Sequence, residues 1–426
     1  MSQDQTTQVK PSQFALAWEL FRWTPVAIAV GLMAGAASAL LLWSLNVATA
    51  IREAHRWMIW LLAPVGLCVG LLYKHFGKDV EAGNNLIIDE VHDPKRTIKL
   101  RMTPFILIGT FLTHLFGGSA GREGTAIQTG ASLADQLARP LGLNAAGRRV
   151  LLMAGISAGF ASVFGTPLAG AIFGLEVLAV GAVSYDAIAP CFLAAFVGDL
   201  TTHHLLQLVH MGHTIYKVDE VPALAASNLL MAMAAGAVFG LMAMFFARTT
   251  HAISAFAKKH ITRPELRPFL GGAIVSCAVF ALGTTRYIGL GVPVIQESFL
   301  HQVHPWDFMA KSLFTSLTLG TGFKGGEVTP LFYIGATLGN ALSHVLPLPV
   351  SLLAGMGFVA VFAGAANTPI ASALMAVELF GADAGAFAAI ACVGAYLFSG
   401  RAGIYHAQRA GVGKQLPEAL AAKAEE

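Results

Sequence analysis

The stretch Gly121–Thr125, with the sequence GREGT, decides the fold because a related stretch occurs again later in the chain. GREGT is followed five residues later by GASL at 130–133, and GEVTP at 326–330 is followed five residues later by GATL at 335–338. Both offsets are 205 (326 − 121 and 335 − 130). Each stretch lies in a glycine cluster that interrupts an apolar run. The pattern indicates two related halves with a broken helix at the same place in each.

A second pair of blocks repeats in the same order. FGTPLA at 164–169 resembles ANTPIA at 366–371, and each is followed by a glutamate nine residues after its proline. The glutamates are Glu176 and Glu378, at an offset of 202. Each half therefore has a glycine-interrupted segment followed by a Thr-Pro segment. We expect the halves to be inverted relative to each other, although the repeat itself carries no orientation.

The composition places the chain in a membrane. Hydrophobic residues make up 55% of it and charged residues 12%, whereas a soluble domain has about 25% charged residues. This excludes a cytoplasmic enzyme, a disordered protein and a disulfide-stapled secreted module, and predicts an all-α polytopic membrane protein. A net charge of +3 is too small to argue for nucleic acid as a partner. Four cysteines lie in apolar stretches without paired spacing, which favours packing over disulfides or metal binding: Cys68, Cys191, Cys277 and Cys392.

Several charge-free runs are long enough to cross a bilayer, which takes about 20 residues of helix. These runs are 24–51, 150–175, 221–247 and 328–377, the last holding more than one segment, with shorter ones at 57–73, 268–285 and 384–400. No cleavable signal peptide is evident at the polar start of the chain. The segment 73–102 is basic, so the positive-inside rule places it in the cytoplasm. We expect no soluble domain after the membrane unit.

Glu123 is the strongest candidate for a functional residue. It lies between glycines, before an apolar helix that we expect to start near Thr125. A charge at membrane depth is costly and usually functional, and the N-terminus of a helix favours an anion. The carboxylate would mimic that anion, and protonation would release it, which couples proton and anion movement. The alternative is a helix-capping carboxylate, or one paired with Arg122.

Glu327 occupies the corresponding break in the second half. Two carboxylates near facing broken helices suggest a proton relay, although Lys324 offers Glu327 a simple ion pair. Thr329 precedes a proline that suits the first turn of a helix, so its hydroxyl either contacts an anion or caps that helix. For the symmetric Glu176 and Glu378 we favour a structural role.

Other chemistry is poorly supported. The histidines before Tyr216 lack metal-site spacing and favour a loop or an interface: His203, His204, His210 and His213. The sequence has no Walker motif, zinc-protease motif or nucleophile elbow, so an ATPase, a hydrolase or an intramembrane enzyme is disfavoured relative to a transporter.

The residues resemble a known family. GREGT is similar to the G-(K/R)-E-G-P signature of the CLC chloride channels and proton antiporters, and GEVTP to their second filter segment G-x-F-x-P. The resemblance covers about 26–408. It departs in four places: Asn84 stands where a filter serine is usual, Thr125 replaces a proline, and Glu327 and Thr329 lie in the second filter. This combination resembles the branch of bacterial fluoride/proton antiporters.

The resemblance implies the CLC fold, with two inverted repeats and with broken and re-entrant helices. It implies a cytoplasmic segment 1–20, a transmembrane domain 21–409 with repeats at about 21–215 and 221–409, and a tail 410–426 without CBS domains. It also implies a homodimer in the inner membrane of a bacterium, with no cofactor or metal.

The implied function is export of fluoride in exchange for protons, with chloride or another anion, moved by an antiporter or a channel, as the alternative. Glu123 would be the gating glutamate and Glu327 would assist proton coupling. Fluoride is strongly hydrated, so its site needs strong donors such as an amide, a hydroxyl and helix N–H groups. The implied anion-binding residues are Gly83, Asn84, Gly124, Thr125, Val328, Thr329 and Tyr405. Val177 stands where chloride/proton antiporters have an internal glutamate, which puts the usual inner proton route in doubt.

Overall fold

The computed structural model describes residues 13–401, 403–411 and 414. The first half contains helices α1 (Gln13–Ala54), α2 (Leu62–Leu72), α3 (Asn84–His92), α4 (Met102–Leu115), α5 (Glu123–Asp135), α6 (Ala145–Phe164), α7 (Pro167–Glu176) and α8 (Ile188–Leu208). The second half contains α9 (Ala226–His260), α10 (Leu266–Leu282), α11 (Val292–Leu300), α12 (Asp307–Gly320), α13 (Val328–Leu342), α14 (Val350–Ala366), α15 (Pro369–Phe380) and α16 (Ala382–Phe398).

The remaining regular structure is short. Arg56–Leu61 and Tyr185–Ala187 are 3-10 helices, and Tyr73–Gly77 is a π-helical turn. β1 (Ala179–Val180) pairs in parallel with β2 (Arg409–Ala410). The predicted terminal segments 1–20 and 410–426 lie largely outside the described residues, so the division into segments stays a prediction.

Four helical stretches are long and apolar enough to span a bilayer: Ala17–Ala54, Arg56–Gly77, Ala145–Phe164 and Ala226–His260. The predicted run 150–175 is two helices rather than one. α6 ends at Gly165, whose φ of 72° is the left-handed conformation of a helix C-cap. Pro167 then begins α7, because a proline is well suited to the first turn of a helix. All four cysteines are free. Cys191 and Cys392 are buried, as a packing role predicts, whereas Cys68 and Cys277 are exposed.

The helices that begin at the two breaks pack against their neighbours through glycine. A side chain on Gly130 of α5 would overlap the carbonyl oxygen of Gly155 on α6, and one on Gly335 of α13 would overlap that of Gly357 on α14. Elsewhere, Gly31 lies against α8 and Gly236 against α16. At these positions glycine permits the close helix packing that is typical of membrane proteins.

Aromatic rings from both halves stack at the centre of the molecule. The ring centroids of Phe160 and Phe173 are 4.1 Å apart, and those of Phe332 and Phe358 are 3.9 Å apart. Phe362 contacts both groups, at 5.9 Å from Phe160 and 5.6 Å from Phe332. All five side chains are at most 1% exposed. The core therefore joins the two halves, which fold as one unit.

The two lone glutamates join the halves reciprocally. Glu176, at the end of α7, accepts hydrogen bonds from the N–H groups of Ile370 and Ala371 at the start of α15, at 3.0 and 2.8 Å. Glu378 on α15 accepts from Leu168 and Ala169 at the start of α7, at 2.9 and 2.8 Å. Each carboxylate caps the helix of the other half, so the predicted structural role is confirmed.

A buried ion cluster holds the far ends of α3 and α5. The guanidinium of Arg148 on α6 donates to Asp135 on α5 at 2.7 and 2.8 Å and to Glu90 on α3 at 2.8 Å. Asp135 is fully buried, and Arg148 and Glu90 are each 8% exposed. Because α3 and α5 begin at Asn84 and Glu123, the cluster fixes the helices that carry these residues.

We expect Arg148→Met to lower the free energy of unfolding by about 3–5 kcal/mol, because it leaves two buried carboxylates without a cation. Arg149→Met is the matched control. Arg149 is only half-buried, and its guanidinium lies 3.6 Å from the exposed carboxylate of Asp186, so its loss should cost about 0–1 kcal/mol. Thermal unfolding of the detergent-purified variants measures both effects. Equal losses would contradict the role given to the cluster.

Candidate functional site

The two broken segments meet through their backbones. The N–H of Gly121 donates to the carbonyl of Gly326 at 2.6 Å, and the N–H of Gly326 donates to the carbonyl of Gly121 at 2.8 Å. The pair is antiparallel, as expected for inverted halves. A side chain on Gly326 would come within 2.6 Å of the backbone nitrogen of Gly124. The N-termini of α5 and α13 therefore lie face to face, and only glycine permits this approach.

The carboxylate of Glu123 sits on the N-terminus of α13. Its side chain is fully buried. Oε2 accepts from the backbone N–H of Thr329 at 3.0 Å and from that of Arg122 at 3.1 Å. The hydroxyl of Thr329 donates to Oε1. The negative group therefore occupies the place where the free N–H groups of the helix would hold an anion.

Several expectations about this segment are resolved by these contacts. α5 begins at Glu123 rather than near Thr125. Thr329 donates to the Glu123 carboxylate with both its N–H and its hydroxyl, and its predicted contact with an anion stays a prediction. Arg122 also lies close, with Nε 3.7 Å from Oε1. The ion pair that we weighed as an alternative role for Glu123 is thus present beside the helix-end contact.

Asn84 brings a third helix N-terminus to the same place. It is the first residue of α3 and follows Gly83, whose φ is +58°. A side chain on Gly124 would come within 3.0 Å of Asn84 Nδ2, so the amide lies directly against the start of α5. Asn84 Oδ1 is buried and has no hydrogen-bond partner among the described residues.

Tyr405 reaches the site from the segment after α16. Its side chain is 4% exposed, and its hydroxyl is buried without a partner in the described part of the chain. The flanking backbone is fixed on both sides. Ile404 N–H donates to Ala365 at 2.9 Å, and Ala407 N–H donates to the side chain of Asn85 at 3.0 Å. Asn84 and Tyr405 line the same cavity, and their predicted contact with an anion stays a prediction.

Glu327 precedes α13, and its Oε2 is buried without a partner among the described residues. The ion pair with Lys324 that we considered does not form: no Lys324–Glu327 contact within 4.0 Å occurs. Lys324 instead places its ammonium 4.0 Å from the centroid of the Tyr73 ring, a cation–π arrangement. Glu327 therefore forms no ion pair among the described residues.

Thr125 and Val328 lie in the first turns of α5 and α13. The hydroxyl of Thr125 is bound to that of Thr110 at 2.6 Å, so it anchors α5 to α4, and only its backbone is left for an anion. Val328 is fully buried at the start of α13. Their predicted contact with an anion stays a prediction, as do those of Gly83 and Gly124.

Gln128 is a residue that the sequence analysis missed. It lies on α5, is 6% exposed, and places its side-chain amide within 3.1–3.2 Å of where a side chain on Gly83 would begin. The signal was available, because residues four apart share one face of a helix and Gln128 follows Gly124 by four. It is a polar side chain on the face that points to the site.

Two cavities flank this constellation. One, of about 130 Å³, is lined by Asn84, Gln128, Glu327 and Tyr405 among others. The second, of about 610 Å³, is lined by Arg122 and further arginines. Its charged lining residues are Arg52, Glu53, Arg56, Arg122 and Arg286. The excess of cations gives this second cavity a positive potential that attracts anions.

The positions of the His, Cys, Asp and Glu side chains decide whether the described residues could hold a metal ion. Within residues 13–401, 403–411 and 414, no group of three or more His, Cys, Asp or Glu side chains has an arrangement that would hold a metal ion. His203 and His204 lie at the end of α8, and His210 and His213 in the loop that follows it. Position 177 is apolar and buried, and its carbonyl accepts from Gln408 at 2.9 Å.

The chain is similar in sequence to known proteins. The family model described as voltage gated chloride channel matches residues 65–400. The chain is 56% identical over 420 residues to a protein named "Chloride/fluoride channel protein" from Pseudomonas syringae pv. tomato, covering 96% of this chain and 92% of that one. It is 25% identical to the "H(+)/Cl(-) exchange transporter ClcA" of Cronobacter sakazakii, covering 76% of this chain and 73% of that one.

Solved structures share the fold. A crystal structure of a CLC-type fluoride/proton antiporter superposes with a TM-score of 0.88 at 33% identity, covering 94% of this chain and 100% of that one. A slow cyanobacterial chloride/proton antiporter has the same fold, with a TM-score of 0.76 at 21% identity over 89% of this chain and 94% of that one.

The chain belongs to the CLC family of voltage gated chloride channels. Its family and its long apolar helices identify it as a membrane protein. The fold class and the resemblance predicted from the sequence are confirmed. The names of these relatives agree with the prediction of a transporter rather than an enzyme.

Proposed function

We propose that this protein is a fluoride/proton antiporter that exports fluoride from the cell and lets protons in. The observation that carries the proposal is the position of Glu123, whose carboxylate is bound by the N–H and the hydroxyl of Thr329. A carboxylate and an anion compete for the same donors. Protonation removes the negative charge of Glu123, so the anion takes its place and each cycle exchanges the two ions.

The donors around the site favour fluoride over chloride. The site combines the Thr329 hydroxyl and the amides of Asn84 and Gln128 with the N–H groups at the helix ends. Because fluoride is small and holds its water tightly, replacing that water requires several strong donors at short range. The relatives named for fluoride support the same choice.

The role of each site residue follows from its position. Glu123 gates the pathway and exchanges protons, and Glu327 receives the proton on the side of the small cavity. Asn84, Thr329 and Tyr405 surround the anion, with the backbone of Gly83, Gly124, Thr125 and Val328. The protein works as a homodimer with one pathway in each subunit, in the inner membrane of a bacterium, as its similarity to the Pseudomonas protein supports.

The test is ion flux through purified protein in liposomes. We expect fluoride to leave loaded vesicles about tenfold faster than chloride or more, equivalent to at least ~1.4 kcal/mol of discrimination. We also expect an inward proton gradient to drive fluoride out against its own gradient. Protein-free vesicles are the control. Chloride moving as fast as fluoride would favour a chloride transporter, and fluoride flux without proton movement would favour a passive channel.

A further inference from the structure

The cavity of about 130 Å³ is lined both by residues of the candidate site and by residues at the protein surface. Asn84, Glu327 and Tyr405 line it with buried polar atoms, and we call this part its buried end. Glu81 and Ala82 also line it and are exposed, and we call this part its outer end. These residues belong to the basic segment 73–102, which the positive-inside rule places in the cytoplasm. The cavity therefore connects the site with the cytoplasmic surface.

Three polar atoms at the buried end have no hydrogen-bond partner among the described residues. They are Asn84 Oδ1, Glu327 Oε2 and the hydroxyl oxygen of Tyr405. Buried polar atoms in proteins are almost always paired with protein or with ordered water. A cavity of this volume has room for several water molecules. The three atoms and the cavity together fit a hydrated path.

The charged groups on this path alternate. Glu327 lies at the inner end and Glu81 at the outer end, and both line the cavity with Lys324. Lys324 is held over the Tyr73 ring, and no carboxylate lies within 4.0 Å of its ammonium among the described residues. Its charge therefore acts on the cavity as a whole and offsets the two carboxylates when both are ionised. Tyr73 and Tyr405 are the other titratable groups that line it.

We propose that Glu81 is the group that exchanges protons with the cytoplasm. A proton on the carboxyl group of Glu327 passes to a water in the cavity, water passes one to the Glu81 carboxylate, and Glu81 releases it to the solvent. Each transfer breaks one O–H bond and forms another. The water and the Glu81 carboxylate return to their starting forms, and Glu327 is left as a carboxylate that takes up the next proton from the side of Glu123. This route needs no acid at position 177, which is valine. It rests on the proposed proton antiport.

The test is Glu81→Gln in liposomes, with proton uptake and fluoride efflux recorded together. We expect the rate of coupled exchange to fall by about tenfold. A positioned acid–base group in an enzyme contributes a hundredfold or more. The effect of Glu81 should be smaller, because Glu81 is exposed and water can carry some protons to the solvent without it. Glu81→Asp should restore most of the rate. A small diffusible buffer at high concentration on the Glu81 side should also restore exchange in Glu81→Gln.

Asp89→Asn is the matched control. Asp89 is an exposed carboxylate on α3 in the same cytoplasmic segment, and it does not line the cavity. Its substitution changes the charge by the same amount and should leave exchange unchanged. Buffer rescue separates proton transfer from a structural effect, since a distorted site would not respond to buffer.

The outcomes are distinct. If the unsubstituted protein exchanges protons but Glu81→Gln matches it in rate, this inference is wrong while the antiport stands. An equal slowing in Asp89→Asn would reduce the effect to surface charge and would also overturn it. If the unsubstituted protein moves fluoride without protons, the proposed function itself fails, before any variant is compared.

Discussion

Replacement of Glu123 by glutamine should abolish proton transport. The glutamine oxygen still accepts from the Thr329 N–H, and its NH2 group donates to the Thr329 hydroxyl, so the site keeps its shape. The amide neither binds nor releases a proton near neutral pH. We expect proton uptake driven by a fluoride gradient to fall to the level of protein-free liposomes. Residual fluoride flux, if it remains, should no longer respond to a proton gradient.

Glu220→Gln is the control for this experiment. Glu220 is an exposed glutamate in the loop between α8 and α9, so the same chemical change there should leave exchange intact. The two variants should also have the same thermal stability in detergent. If Glu123→Gln still moved protons against a fluoride gradient, the carboxylate at the start of α5 would not be the coupling group, and Glu327 would have to carry the exchange alone.

Replacement of Gly335 by leucine should prevent folding. Gly335 and Gly339 are four residues apart on α13, and side chains there would overlap the carbonyl oxygens of Gly357 and Leu353 on α14. Backbone atoms of a packed helix do not move aside as a flexible side chain does. We expect a loss greater than the 1–3 kcal/mol that overpacking usually costs. α13 carries Thr329, so the anion site would be lost as well.

The measurement is the yield of monodisperse protein after extraction into detergent, where Gly335→Leu should give little or none. Gly212→Leu is matched to it, because a side chain there would meet nothing within 4 Å. That variant should purify normally. If Gly335→Leu folded well and transported ions normally, close packing of α13 against α14 would not be needed for folding or for the site, and this prediction would be wrong.

The two halves, the breaks and the acid at the first break could be predicted from the sequence. The offsets of 205 and 202 depend only on residue identity and order. The isolation of Glu123 in an apolar stretch likewise needs no coordinates, since an unneeded charge at that depth would be too costly to keep. Gly165 and Pro167 also mark the end of α6 in the sequence. The absence of charge does not separate α6 from α7, because a short break leaves the stretch 150–175 apolar.

Contacts between distant parts of the chain were decided by the tertiary structure alone. Thr329 reaches Glu123 across 206 residues. Glu176 and Glu378 each cap the helix of the other half. Arg148 forms an ion cluster with Asp135 and Glu90 that no sequence motif predicts. In each case at least one partner lies far away along the chain, so local sequence patterns do not predict the contact.

The cavity of about 130 Å³ likewise depends on the tertiary structure and not on local sequence. Glu81, Gln128 and Lys324 lie far apart in sequence and share no motif, yet they line one space beside Asn84 and Glu327. Local sequence patterns predict helices, helix breaks and membrane-spanning segments. The enclosed volume depends on how helices from both halves pack, and that packing determines which polar atoms are left without partners. The sequence by itself therefore determined the family and the acid at the break. The three-dimensional packing decided what that acid touches and which polar side chains line the cavity beside it.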